Sequence, residues 1–172
     1  MEHQKYQKHR VAMIRVEPYL AAYARRKFDV DPSTGGIRIP DSFDLYHCVW
    51  QMMEIRPREC PPQKDANLRI FLPCRHTSPS KHPEYWNYIP PRKQRVVEKA
   101  LRRLFNWEFH HYCEDLIARG TGKVDAVRGF IRLYGLGLDS EDALLKNLQR
   151  HERTMQAFLG ISRGKNTRKR RI

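Results

Sequence analysis

Hydrophobic and polar positions alternate over residues 11–16 (VAMIRV), where β-branched side chains are also concentrated, so this stretch reads as a strand. Past Glu17-Pro18 the apolar period lengthens to that of a helix. Leu20, Tyr23, Ala24 and Phe28 share one face over residues 17–28, with proline at a permitted first-turn position. Arg25, Arg26 and Lys27 fall in the last turn, where cations suit the helix dipole. Asp31, Pro32, Ser33, Thr34, Gly35 and Gly36 form a turn cluster. Residues 37–39 make a short strand closed by Pro40, and Asp41 or Ser42 stands where a cap is needed for a helix from Phe43 to the neighbourhood of Ile55. The apolar stripe of that helix is Leu45, Val49 and Met52/Met53.

Pro57, Pro61 and Pro62 break the chain into a linker, and residues 68–72 (LRIFL) form a further strand ended by Pro73. A polar loop over 75–83 leads to the aromatic cluster Tyr85, Trp86 and Tyr88, and Pro90-Pro91 marks a boundary. Beyond it a long helix runs to the region of Ala118 on the stripe Val97, Leu101, Leu104/Phe105, Phe109, Tyr112 and Leu116, until Gly120 and Gly122 stop it. A helix over 124–134 buries Val127, Phe130 and Ile131. Gly135-Leu136-Gly137-Leu138 turns the chain, and Asp139, with Asp142 three residues on, opens a final helix that ends near Phe158. The pattern predicts an α+β protein: a small N-terminal sheet of about three short strands packed with helices, then an all-helical half. The expected parts are an α/β subdomain over residues 1–90, a helical subdomain over 91–161 and a basic tail over 162–172.

A chain of 172 residues suits one compact domain or two small ones sharing a core. At that size roughly 70% of the unfolded surface can be buried, so no disulfide or metal staple is required. No apolar run approaches the roughly 20 residues of a membrane span, and no apolar segment follows the charged N-terminus. The expectation is a cytoplasmic protein that does not enter a membrane. The charge changes the picture most. The formal net charge is +14, and from Arg92 onward 19 Lys/Arg stand against 9 Asp/Glu, which places +10 of it on the helical half. A basic helical region attracts polyanions, because each phosphate it neutralises releases condensed counterions. Nucleic acid is the partner class this implies. DNA and RNA use the same charges, and no RNA-module signature is present.

The pair of helices over 124–134 and 139–158 has the ingredients of a helix-turn-helix. On the second helix Leu144, Leu145, Leu148 and Met155 form an apolar side, while Lys146, Asn147, Gln149, Arg150 and Arg153 form a polar side able to reach base edges or phosphates. The alternative is an ordinary helical hairpin with a solvated face. On these residues the chain resembles helix-turn-helix proteins in general, and in size, charge and tail it resembles small DNA-binding proteins of bacterial mobile elements and prophages. That resemblance implies double-stranded DNA binding without catalysis and a homodimer. Glu141 and Asp142, in the first turn, oppose a phosphate but favour the helix N-terminus.

Further cations are candidate phosphate contacts. Arg92, Lys93, Arg95, Lys99, Arg102 and Arg103 crowd the start of the long helix, where the dipole disfavours them. Arg168, Lys169, Arg170 and Arg171 belong to a tail with no acid and no apolar pattern, which reads as unfolded until something anionic orders it. The competing function is a protein–protein adaptor whose basic surface serves solubility or an acidic docking site.

Other chemistries find little support. Cys48, Cys60, Cys74 and Cys113 form no C-x-x-C pair and read as reduced structural thiols. Zinc on Cys74, His76 and His82, or on His110, His111 and Cys113, lacks the paired ligand spacing such sites show, so neither metal nor cofactor is expected. Gly120-Thr121-Gly122-Lys123 resembles the end of a phosphate loop but lacks its first glycine and its preceding strand. Glu108, His110, His111 and Glu114 hold acid/base groups on one helix, without a nucleophile motif. A ribbon-helix-helix reading would aim Arg15 of the first strand into DNA, although the strand at 37–39 interrupts that pattern. Tyr85, Trp86 and Tyr88 either stack on unpaired bases or plug the junction of the two halves.

Overall fold

The alternating segments of the first half do pair into one sheet. The computed structural model describes residues 10–60, 63, 65–74, 79–137 and 140–160. Within them lie β1 (Val11–Ile14), α1 (Pro18–Lys27), β2 (Asp29–Val30), β3 (Ile37–Arg38), α2 (Asp44–Met52), β4 (Leu68–Phe71), a 3₁₀ turn (Pro79–Lys81), α3 (Pro91–Ala118), α4 (Lys123–Tyr134) and α5 (Glu141–Phe158). The architecture is α+β, with a four-stranded N-terminal sheet and a mostly helical second half. The strand order is β1-β4-β3-β2, with β3 parallel to β4 and the other pairs antiparallel. Ala12, Ile14, Ile37, Leu68 and Ile70 face the core, while Met13 and Arg69 point outward.

The sequence predicted three strands, and β2 is a correction. Its two residues follow directly on α1 and are too few to show alternation. They pair with β3 because the Asp31 turn reverses the chain. One Asp31 oxygen accepts the backbone N–H groups of Ser33 (3.1 Å) and Thr34 (3.0 Å), while the other takes the Arg38 guanidinium at 2.6 Å. The Ser33 hydroxyl bond and then that of Arg38 hold the carboxyl far below its ordinary value. Gly35 completes the reversal at φ 66°, a conformation that favours glycine. Two cap expectations also change. Phe43, not Asp41 or Ser42, precedes α2, and no side chain caps that helix. Ser140 precedes α5, likewise without a side-chain cap, and Asp139 lies outside the described residues.

One hydrophobic cluster spans both halves, from Ala12 and Leu20 through Phe105 and Phe130 to Leu148. Gln94 joins them across the Pro90 boundary, accepting from the Arg15 backbone N–H at 3.0 Å and donating to the Ile89 carbonyl at 2.8 Å. The core-facing stripe of α3 is Val97, Leu101, Phe105, Phe109 and Cys113. Phe105 lies between Tyr19 and Tyr23 of α1 and Phe130 of α4, each edge-on at 5.1–5.6 Å.

A single carboxylate ties these three helices together. Glu108 of α3 accepts hydrogen bonds from Tyr23 of α1 at 2.5 Å, from Lys27 at 2.9 Å, and from the Tyr134 hydroxyl of α4. Burial pushes the Glu108 carboxyl up, but the two phenols and the ammonium outweigh it and hold it below the ordinary glutamate value. A depressed folded value means that this stabilisation is present above the unfolded pKa and lost as pH falls through the folded one. Glu108→Gln should therefore cost about 2 kcal/mol in urea unfolding at neutral pH. Its deficit relative to the parent should shrink once the pH is taken below 4.5. A deficit that stays constant with pH would contradict the charged hub.

Candidate nucleic-acid interface

Arg95, Lys99, Arg103, Trp107 and His111 recur every four residues and so form one ridge along α3. The three cations are exposed, and none has an ion-pair partner among the described residues. Trp107 is 65% exposed and stacks on His111 with centroids 5.6 Å apart and planes within 6°. Beside this ridge Val96, Ala100 and Leu104 face Phe43 and, on α2, Leu45 and Cys48 across an open groove of about 980 Å³. Cys48 lines that groove as a thiol. Burial pushes its pKa up against the opposing charge of Arg103.

The ridge three residues further round α3 carries Asn106, His110 and Glu114, and these dock α5. The Asn147 amide donates to Asn106 Oδ1 at 3.0 Å, which turns its own oxygen toward His110 Nε2 at 2.8 Å. His110 is therefore the donor. Its ring stacks on His151 at 3.8 Å, and His151 contacts Glu114 at 2.8 Å. Burial, together with the neighbouring His151, keeps His110 below its ordinary pKa, against the opposing effects of Asn147 and Glu114. On its other flank α5 is held to α4 by Arg128–Glu141 at 3.0 Å and Lys123–Glu152 at 2.6 Å. Those two pairs run in opposite senses along the two helices, so α4 and α5 form an antiparallel hairpin laid along α3.

The predicted site residues therefore divide. Lys146, Gln149, Arg150 and Arg153 lie exposed on α5, and none of the three cations has an ion-pair partner among the described residues. Asn147 does not join them, because its amide is committed to Asn106 and His110. The cluster at the start of α3 divides as well. Arg92 and Lys93 pair with Glu54 at 3.2 and 2.7 Å, and Arg102 with Glu17 at 2.8 Å and Glu98 at 2.6 Å. Arg95, Lys99 and Arg103 have no such partner among the described residues. Arg168, Lys169, Arg170 and Arg171 lie outside the described residues. Of the first-turn acids, Glu141 is satisfied by Arg128, whereas Asp142 is exposed one turn before Lys146. Sequence reasoning missed Trp107. Its signal was present, an aromatic at the end of a four-residue cation repeat.

The remaining candidates separate. Glu108, His110 with Glu114, and His111 lie in three environments rather than one acid/base group. Of the two zinc groupings, the one with His76 falls partly outside the described residues. Among the described residues no three His, Cys, Asp or Glu side chains are placed to hold a metal ion. Burial pushes the Cys113 thiol up to about 12. β1 pairs with β4 of its own chain, and Arg15 lies beyond its end, 3.5 Å from Asp65. Tyr85 is exposed, Trp86 covers Lys81, and the Tyr88 backbone bridges to Glu54. Among the described residues no helix is long and apolar enough to cross a membrane. No family model, no curated protein and no solved structure matches the chain.

Two neighbours on α5 should respond differently to truncation. Asn147→Ala strands the polar groups of Asn106 and His110 and should lower unfolding free energy by about 1–2 kcal/mol. Gln149→Ala should stay within about 0.5 kcal/mol of the parent. Equal losses in urea titrations would mean that the polar contact does not hold α5.

Proposed function

We propose that the protein binds double-stranded DNA without catalysing a reaction, with the exposed face of α5 toward a groove and the α3 ridge toward the phosphates. One observation carries this reading: the separation of paired from unpaired cations. Arg92, Lys93, Arg102, Arg119, Lys123 and Arg128 each have a carboxylate partner inside the fold. Arg95, Lys99, Arg103, Lys146, Arg150 and Arg153 have none among the described residues and are exposed. Within each helix these cations stand three or four residues apart, close enough to repel one another. A polyanion relieves that repulsion and gains the entropy of counterion release.

In this reading Lys146 and Gln149 approach base edges together with Arg150 and Arg153, while Arg95, Lys99 and Arg103 fix the register on the backbone. Arg168, Lys169, Arg170 and Arg171 add sequence-independent affinity, and a dimer would present two such faces to a symmetric site. The helix-turn-helix resemblance enters only as this use of the second helix. It does not extend to Asn147.

Fluorescence anisotropy with a random-sequence duplex tests the proposal. Contacts to six or more phosphates, by the α3 cations and the tail, predict that affinity falls about a thousandfold between about 50 and 200 mM salt. Replacing Arg95, Lys99 and Arg103 together by Ala should flatten the slope of log K against log salt by about 2.7. Lys123→Ala, which removes a cation paired with Glu152, should leave that slope unchanged. No binding at low salt would overturn the reading, and so would equal slopes in all three proteins.

A further inference from the structure

The groove between α2 and α3 has a composition that backbone contact alone does not use. Its floor is apolar, from Val96, Ala100 and Leu104 on one wall and Leu45 and Cys48 on the other. Three cations line one edge at successive turns of α3, about 6 Å apart along the axis. Trp107 stands at the end of that row. Asp44 is the one acid among the lining residues. Duplex DNA presents phosphates and groove edges to a protein, and neither fills an apolar floor. An unpaired strand presents both charge and base faces, and proteins that take one combine a cationic edge with an exposed aromatic platform.

We infer that this groove holds a short unpaired stretch of nucleic acid, with phosphates along Arg95, Lys99 and Arg103 and a base stacked on Trp107. The inference rests on the proposed DNA binding and adds a preference for a duplex with an unpaired end. Continuity of charge favours this occupant over an acidic peptide. Asn106 and His110, which dock α5, lie three residues beyond Arg103 and Trp107 on α3. The Trp107 end of the ridge therefore adjoins α5, and a strand leaving a duplex on the α5 face reaches Trp107 and then the row of Arg103, Lys99 and Arg95. The His111 ring beneath Trp107 holds the indole in one plane, which lowers the ordering cost of stacking.

The test compares a blunt duplex with the same duplex carrying a single-stranded dT overhang, using parent, Trp107→Ala and Trp107→Phe. The parent should bind the overhang roughly tenfold more tightly than the blunt duplex. Trp107→Ala should erase that preference while keeping blunt-duplex affinity, and Trp107→Phe should retain most of it. Trp107 fluorescence should be quenched by the overhang and not by the blunt end. Blunt and overhang duplexes bound equally by the parent would overturn the groove assignment and leave DNA binding standing. Failure to bind either would remove the DNA reading itself. An acidic amphipathic peptide that binds the parent, fails on Trp107→Ala and leaves overhang binding undisturbed would reassign the groove to a protein partner.

Discussion

The Glu108 carboxylate is the contact on which the arrangement of helices depends. It gathers a phenol from α1, an ammonium from α1 and a phenol from α4 onto one position of α3. A half-buried carboxylate left without these donors would bear the full cost of its lost hydration, so the three helices are held to the geometry that supplies them. Aromatic packing around Phe105, Phe109 and Phe130 fills the space that this hub defines. With α4 fixed, α5 returns along α3 through the Asn147–His110 contact, and its remaining polar side is turned to solvent.

This arrangement sorts the charge of the chain. Carboxylates of the helical half pair along their own helix, Glu98 with Arg102 and Asp115 with Arg119, or across to the neighbouring one, Glu141 with Arg128 and Glu152 with Lys123. Lys81 is also engaged, with its ammonium between the Trp50 and Trp86 rings and on the last carbonyls of α2. Each such pair secures a helix boundary or crossing and removes one cation from the outer field. Among the described residues, six exposed cations without such a pair lie on the α3 ridge and the α5 face. Surface pairs of this kind contribute little stability individually.

Much of the helical half was legible because its cause is local. The stripe Val97, Leu101, Phe105 and Phe109 and the stops at Gly120 and Gly135 follow from period and backbone freedom, and α3 and α4 begin and end within a residue of expectation. The partners of polar side chains were not legible. Glu108 read as one of four acid/base groups on a single helix, because Tyr23 lies 85 residues away in the sequence and Tyr134 lies 26 away. Asn147 read as a base-reading amide because its ligands sit on another helix. A trace was nonetheless present: Asn106, His110 and Glu114 on one helix and Asn147 and His151 on another are polar stripes at matching spacing, as two facing helices require. Among the cations, the sequence held no means of telling Lys99 from Lys93, since that difference is made by Glu54 on a distant segment.

Lysine footprinting tests most directly the proposed division between cations that hold the fold and cations that face a polyanion. Acetylation of the folded protein with and without duplex DNA, read by mass spectrometry, reports each lysine separately. The account predicts that DNA protects Lys99 and Lys146 strongly and leaves Lys93 and Lys123 at their protein-alone reactivity. Protection spread evenly over all four, or confined to Lys93 and Lys123, would contradict it.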